Sequence, residues 1–346
     1  MNSQIALFLA QDGLINGAVY ALLAVAILLV FAVTRVIFVP QGEFVAFSAL
    51  TMASLQSGKT PGTVWLLLLL SAISMTMEVW DGLRNRDPNR AIRGLFFYGA
   101  LPVVLTAAIV WLTPLGMPML IRGLATFAII VPLGPLLYRV AFQRVAQASG
   151  LVLFIVSMAA HLAVAAVGLI IFGPEGSRTM PFSESSWKLG PIQVTGQSVW
   201  VVGASAAAIA VLFWFFNRTF RGKALKATAV NRVGAQLMGI SPTGAGTLAF
   251  ALAAAVGALS GLLIAPITTI FYDTGFLIGL KGFVAAIVGG LLSYPLAAAG
   301  ALLVGMLESY SSFWASPYKE VIVFTLILPV LVWRSFRSLH IDEDNE

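Results

Sequence analysis

Long stretches without a formal charge constrain this chain more than any other feature. The first 34 residues hold one charged side chain, Asp12, and no Lys or Arg. Stretches such as Val64–Leu70 and Ala204–Phe216 are apolar at almost every position. Backbone amides buried in hydrocarbon must be hydrogen-bonded internally, which leaves helices or closed barrels as spanning structures. Barrel strands alternate apolar and polar side chains over about 10 residues. These stretches do not alternate, so the expected class is all-α, a polytopic transmembrane helical protein. Composition points the same way. Of 346 residues, 59% are apolar and 10% charged, with a mean hydropathy of +0.95, whereas a water-soluble domain carries about a quarter of its residues as charges.

A crossing helix takes about 20 mostly apolar residues. About nine spans are expected, near 13–34, 43–55, 63–77, 95–113, 123–138, 150–172, 197–216, 244–271 and 319–333. The apolar segment 279–311 is interrupted by Gly289-Gly290 and by Pro295. Lys and Arg concentrate in short cytoplasmic loops. Alternating the spans gathers Arg35, the group from Arg84 to Arg93, Arg139, Arg144, the bases between Arg218 and Arg232, Arg334 and Arg337 on one side. These are 14 of the 20 basic residues, so that side is expected to be cytoplasmic, with the N-terminus outside and the C-terminus inside. Parity then requires 279–311 to cross twice or not at all. The expected form is a re-entrant hairpin of 281–292 and 296–311 entering from the outer face. Without a basic start, the first run reads as a retained span. Asp342 to Glu346 forms a short acidic tail.

Several chemistries are excluded by residue type. Cysteine is absent and the histidines are His161 and His340 alone, so thiol chemistry, disulfides and a histidine-rich metal site are not expected. The net charge of +6 follows the topology rather than marking a nucleic-acid surface. No GxxxxGK[ST] phosphate loop occurs; the nearest fragment, Arg221-Gly222-Lys223-Ala224, lacks the upstream glycine and the following hydroxyl. Any energy must come from a partner or from an ion gradient.

The segment Asn217–Thr243 carries five bases and no acids. Leu225, Ala229, Gln236, Leu237 and Ile240 have the spacing of short amphipathic helices lying along the membrane face, and Gly239 and Pro242 end them. On its own this is either a charged surface loop or a coupling element that inserts into a soluble ATPase.

Three blocks of sequence decide between these. Gly222-Lys223-Ala224-Leu225-Lys226-Ala227, with Ala235 and Met238-Gly239-Ile240, resembles the cytoplasmic loop of branched-chain amino acid type ABC-importer permeases. Asn16-Gly17-Ala18-Val19-Tyr20-Ala21-Leu22, Arg35-Val36-Ile37-Phe38 and Gly42-Glu43-Phe44 resemble that family's N-terminal pattern, with Gln41 standing where a histidine is usual. The run from Gly279 to Leu291 is similar to its re-entrant segment. The resemblance implies one permease domain over 1–346, with 217–243 as the coupling loop and 63–115 as an extra helical pair. It implies coupling to an ATPase through Ala224, Leu225, Ala229, Leu237, Met238, Gly239 and Ile240. Candidates for the translocation path are Gln41, Gly42, Glu43, Phe44, Phe283, Gly289 and Gly290. The implied partners are a second similar permease, two cytoplasmic ATPase subunits, an external solute-binding protein and membrane lipid, but no nucleic acid. ATP and Mg would be bound by the ATPases, with no cofactor in this chain, which is then not an enzyme itself. The implied location is a bacterial inner membrane, and the implied solutes are branched-chain or other amino acids or a related small polar solute. An ion-gradient-driven secondary transporter is the alternative, since such proteins place broken helices and acids near the midplane.

Ionisable residues inside spans are costly and mark function or pairing. Glu43 is expected either to cap the helix that follows Pro40 or serve packing, or to line the path. Lys281 is expected to extend to the interface, His161 to be neutral and hydrogen-bonded between helices, and Glu308 to reach water. Ala253, Gly257 and Gly261 form a small-residue stripe expected to serve packing within the chain.

Overall fold

The computed structural model describes residues 3–86, 89, 92, 94–189, 192–290 and 293–332. Helix dominates it. Helix α1 spans Ser3–Thr34, α2 Gln41–Gln56 and α3 Thr63–Arg84. A π-turn at Leu95–Ala100 leads into α4, Leu101–Leu112. Helix α5, Met119–Leu137, continues through a π-turn and a 3₁₀ turn to Val145, and α6 spans Gly150–Phe172. After a two-stranded antiparallel hairpin, β1 Ser186–Leu189 and β2 Ile192–Thr195, come α7, Gly196–Arg218, α8, Phe220–Val230, and α9, Arg232–Leu237. Helices α10, Pro242–Ile264, α11, Thr274–Val288, α12, Tyr294–Trp314, and α13, Lys319–Thr325, complete the described chain.

Among the described residues, eight helices are long and apolar enough to cross a membrane. The chain is therefore a multi-span membrane protein of helices, as the uncharged runs require. Two expected spans differ. Residues 43–55 belong to α2, which has only 16 residues. The stretch expected at 319–333 begins as α13, and residues 333–346, including Arg334, Arg337 and the acidic tail, lie outside the described residues, as do Arg90 and Arg93.

The bundle is built around α1, which packs on α7, α10, α11 and most extensively on α12. The α1–α12 pair is antiparallel: Ser309 Oγ donates to the Leu9 carbonyl at 2.7 Å and Tyr310 Oη to the Ala6 carbonyl at 3.2 Å. A Cβ on Gly305 would overlap the backbone at Gly17, so the two backbones touch. In lipid, where apolar surface gains nothing by leaving the solvent, such close approach is what holds helices together. The stripe on α10 serves the same end. Gly257 faces Phe44, and Gly261 faces Ser48 of α2, so it packs within the chain as expected.

The two ends of the bundle are chemically distinct. At one, Arg35 reaches the Ala229 carbonyl at 3.3 Å and Arg232 the Ala146 carbonyl at 2.8 Å; this is the basic end. The β-hairpin marks the other, where Gln11 donates to the Gln193 carbonyl and Gln56 accepts from the Met180 amide. Residues 63–115 hold α3 and α4, joined to the end of α5 by an Arg139–Glu78 ion pair and by Arg139 lying 4.8 Å over the Tyr98 ring.

Candidate functional site

Three places in the bundle concentrate polar chemistry, and the first lies at its centre. Ala253 and His161 are each the central residue of a 23-residue helix. Gln41, the first residue of α2, donates from Nε2 to the Ala253 carbonyl at 2.9 Å. Helix α2 therefore starts about halfway along the bundle and ends at the hairpin end, which accounts for its short length. Its start is wedged tightly: a Cβ on Gly42 would overlap the Gly275 carbonyl of α11. Glu43 sits in the first turn and makes no capping hydrogen bond. Its side chain is 1% exposed, and Oε1 lies 3.0 Å from His161 Nδ1. The His161 ring stacks on Phe276 at 4.5 Å. Phe276 in turn lines an apolar cavity of about 280 Å³ together with Met158, Leu280 and Phe283. Phe44 is buried and packs on Phe38, centroid to centroid 5.7 Å.

The structure thus brings Gln41, Gly42, Glu43 and Phe44 together at mid-depth, with Phe283 in the cavity next to them. Gly289 and Gly290 lie elsewhere. They end α11, with Gly290 at φ +85°, and Gly289 packs on the backbone of Ala297. The break falls where the sequence places it, and α11 and α12 form a hairpin; residues 291 and 292 lie outside the described residues. Its tip goes deeper than a loop returning from mid-membrane. Tyr294 stacks on Phe216 of α7 at 5.3 Å, with the rings 13° from parallel, so the turn reaches the basic end. The second limb, at 21 residues, is long enough to cross by itself.

The second place is a buried ion cluster that spacing along the chain did not reveal. Lys281, expected to extend to the interface, is instead 6% exposed. Its Nζ lies 2.6 Å from Glu308 Oε1 and 3.0 Å from Glu320 Oε1. Tyr20 of α1 donates to Glu308 Oε2 at 2.6 Å. Glu308 is likewise buried rather than reaching water. One ammonium thus ties α11 to α12 and α13.

The third place is the short helical pair at the basic end. Thr219 and Asn231 cap α8 and α9, accepting from the Gly222 and Gly234 amides at 3.0 and 2.8 Å. Gly239, at φ +80°, turns the chain, and Ser241-Pro242 starts α10. Leu225 is 1% exposed and holds α8 against the bundle; Ala224, Ala229 and Ile240 are half-buried. Leu237, Met238 and Gly239 stand in the open, the first two at 84% and 83% exposure. The seven coupling candidates therefore divide into an inward anchor and an outward apolar tip.

A profile described as branched-chain amino acid transport system / permease component matches residues 9–331. The chain belongs to this permease family. LivH, the high-affinity branched-chain amino acid transport system permease protein of Escherichia coli, is 32% identical over 191 residues, covering 49% of this chain and 60% of LivH. The Salmonella typhimurium LivH gives the same figures. BraD of Pseudomonas aeruginosa, with the same description, is 34% identical over 122 residues, 35% of this chain and 40% of BraD. The chain thus spans less than two thirds of these relatives. No solved structure matches it.

Proposed function

We propose that this chain is a permease subunit of an ATP-driven importer, forming the path for a branched-chain or other amino acid or a related small polar solute. The reading places it in a bacterial inner membrane, with the N-terminus outside and the basic end and C-terminus in the cytoplasm. It pairs with a second, similar permease. Two cytoplasmic ATPases hold the ATP and Mg, and an external binding protein delivers the solute at the hairpin end. Hydrolysis belongs to the ATPases.

The observation that carries the reading is the exposed apolar tip, Leu237 and Met238, on a capped helical pair at the basic end. Exposed apolar side chains raised on a rigid element fit a cleft in a partner, where a few central contacts dominate binding. The anchoring explains transmission. A push on α9 passes to α8, whose Leu225 is locked into the bundle and whose last turn is tied to Arg35 at the end of α1. Helix α1 in turn carries α11 and α12, and α11 meets the start of α2 beside Glu43. Movement of the ATPases can thereby open and close the centre of the bundle.

The test is the double substitution Leu237→Asp with Met238→Asp in the reconstituted complex. Two carboxylates forced into an apolar cleft cost several kcal/mol, roughly the cost of burying unpaired polar groups. Solute-stimulated ATP hydrolysis and co-purification of the ATPase should both fall sharply while membrane insertion is kept. Normal co-purification together with normal transport removes the assignment. The Glu43–His161 pair at mid-depth favours the alternative, an ion-gradient-driven transporter. Uptake by the chain alone in liposomes under a proton or sodium gradient would establish it; none is expected.

A further inference from the structure

The start of α12 borders a groove at the basic end; Arg35, Leu225 and Ala229 on its wall also serve the coupling path, but the cavity itself has no part in the transport reading. Two apolar cavities of about 540 and 480 Å³ meet there, sharing Phe216, Lys226, Tyr294 and Pro295. Together they run along α1 from Arg35 inward to Val25. That is about 15 Å at 1.5 Å per residue, one leaflet of a hydrocarbon core about 30 Å thick. The inner part is bounded by Ile209, Ala210 and Phe213 of α7. Its mouth carries two exposed cations, Arg35 and Lys226. No acid lines either cavity, and neither cation is in an ion pair among the described residues.

The cations are held in place with donors to spare. Lys226 Nζ donates to Asn217 Oδ1 at 2.6 Å, leaving two N–H groups, and Arg35 has given one N–H to the Ala229 carbonyl of its five. Arg35 also adopts φ +61°, an uncommon conformation for a side chain with a Cβ and one that persists only when its surroundings fix it.

We propose that this groove binds an anionic phospholipid, with its phosphate between Arg35 and Lys226 and an acyl chain along Ile209, Ala210 and Phe213. Charge complementarity selects the occupant. Basic pockets between spans at headgroup depth take anionic headgroups, and a second protein helix would place apolar side chains, not a phosphate, at the cationic mouth.

The experiment uses the purified full chain in nanodiscs of phosphatidylcholine with or without phosphatidylglycerol, and native mass spectrometry of the chain released from them. The wild type should retain phosphatidylglycerol in preference to phosphatidylcholine and unfold at a higher temperature when it is present. Lys226→Gln should cut that preference roughly fivefold, the contribution of one interfacial cation. Ala210→Phe should abolish retention by filling the groove while leaving both cations, with helical content by circular dichroism unchanged. Equal retention of both lipids by the wild type overturns the proposal. So does wild-type retention in both variants, or a change of oligomeric state in Ala210→Phe without any change in lipid, which gives the groove to a second copy. None of these readouts needs an ATPase, so they stand apart from the importer reading.

Discussion

Glu43 is the residue whose surroundings ask most of it. It is buried at mid-depth, and among the described residues His161 Nδ1 is the one polar atom of opposite character recorded beside it. Removing one member of a buried pair leaves an uncompensated group, typically at a cost of about 3–5 kcal/mol. His161→Phe should therefore lower the unfolding temperature in detergent markedly. Adding Glu43→Gln should recover much of the loss, because an amide is cheaper to bury than a carboxylate. If the double variant is no more stable than His161→Phe alone, the pair is not coupled. The sequence marked Glu43 and His161 separately as costly residues. It gave no sign that they meet, since α2 and α6 are brought together by packing and not by any spacing along the chain.

At the scale of elements, the Lys281 cluster links three helices through one ammonium. Lys281→Met should loosen α13 from the hairpin and leave Glu308 buried without its counter-charge, at a cost of about 3–5 kcal/mol. The triple variant Lys281→Met, Glu308→Gln, Glu320→Gln should be more stable than Lys281→Met alone, as read by thermal unfolding. The reverse order would mean that the cluster contributes nothing as a unit. Element existence was legible from the uncharged runs, and the α11–α12 break from Gly289-Gly290 and Pro295. Depth was not. That α2 begins halfway along the bundle follows from its contact with Ala253, and that the hairpin tip reaches the basic end follows from Tyr294 against Phe216. Lys281 misled because an isolated lysine in an apolar helix ordinarily extends to water, and its acids lie on two later helices. In the segment 217–243 periodicity found the helices. It could not tell the anchoring Leu225 from the exposed Leu237, because both sit on apolar faces and only the fold decides which face is covered.

For the molecule as a whole, the two chemically distinct ends make sidedness testable, and the absence of cysteine leaves a clean background. Glu184→Cys, exposed beside the β-hairpin, should be labelled by an impermeant maleimide in intact cells. Lys223→Cys on α8 should be labelled only after permeabilisation. The opposite pattern inverts the proposed orientation. The α1–α12 pairing has a further consequence, in time rather than in space. Helix α1 precedes α12 by most of the length described, so the central helix is finished well before the partner on which it packs most extensively. At a synthesis rate of about 5–20 residues per second, the interval is roughly 15–55 s. Through it, the seam at Gly17 and the hydroxyl of Tyr20 lie open to whatever surrounds the growing chain. A nascent chain halted before Tyr294 therefore holds α1 with α7, α10 and α11 available to it and its most extensive seam still unclaimed. Asp12 as its sole formal charge is what allows α1 to wait in lipid.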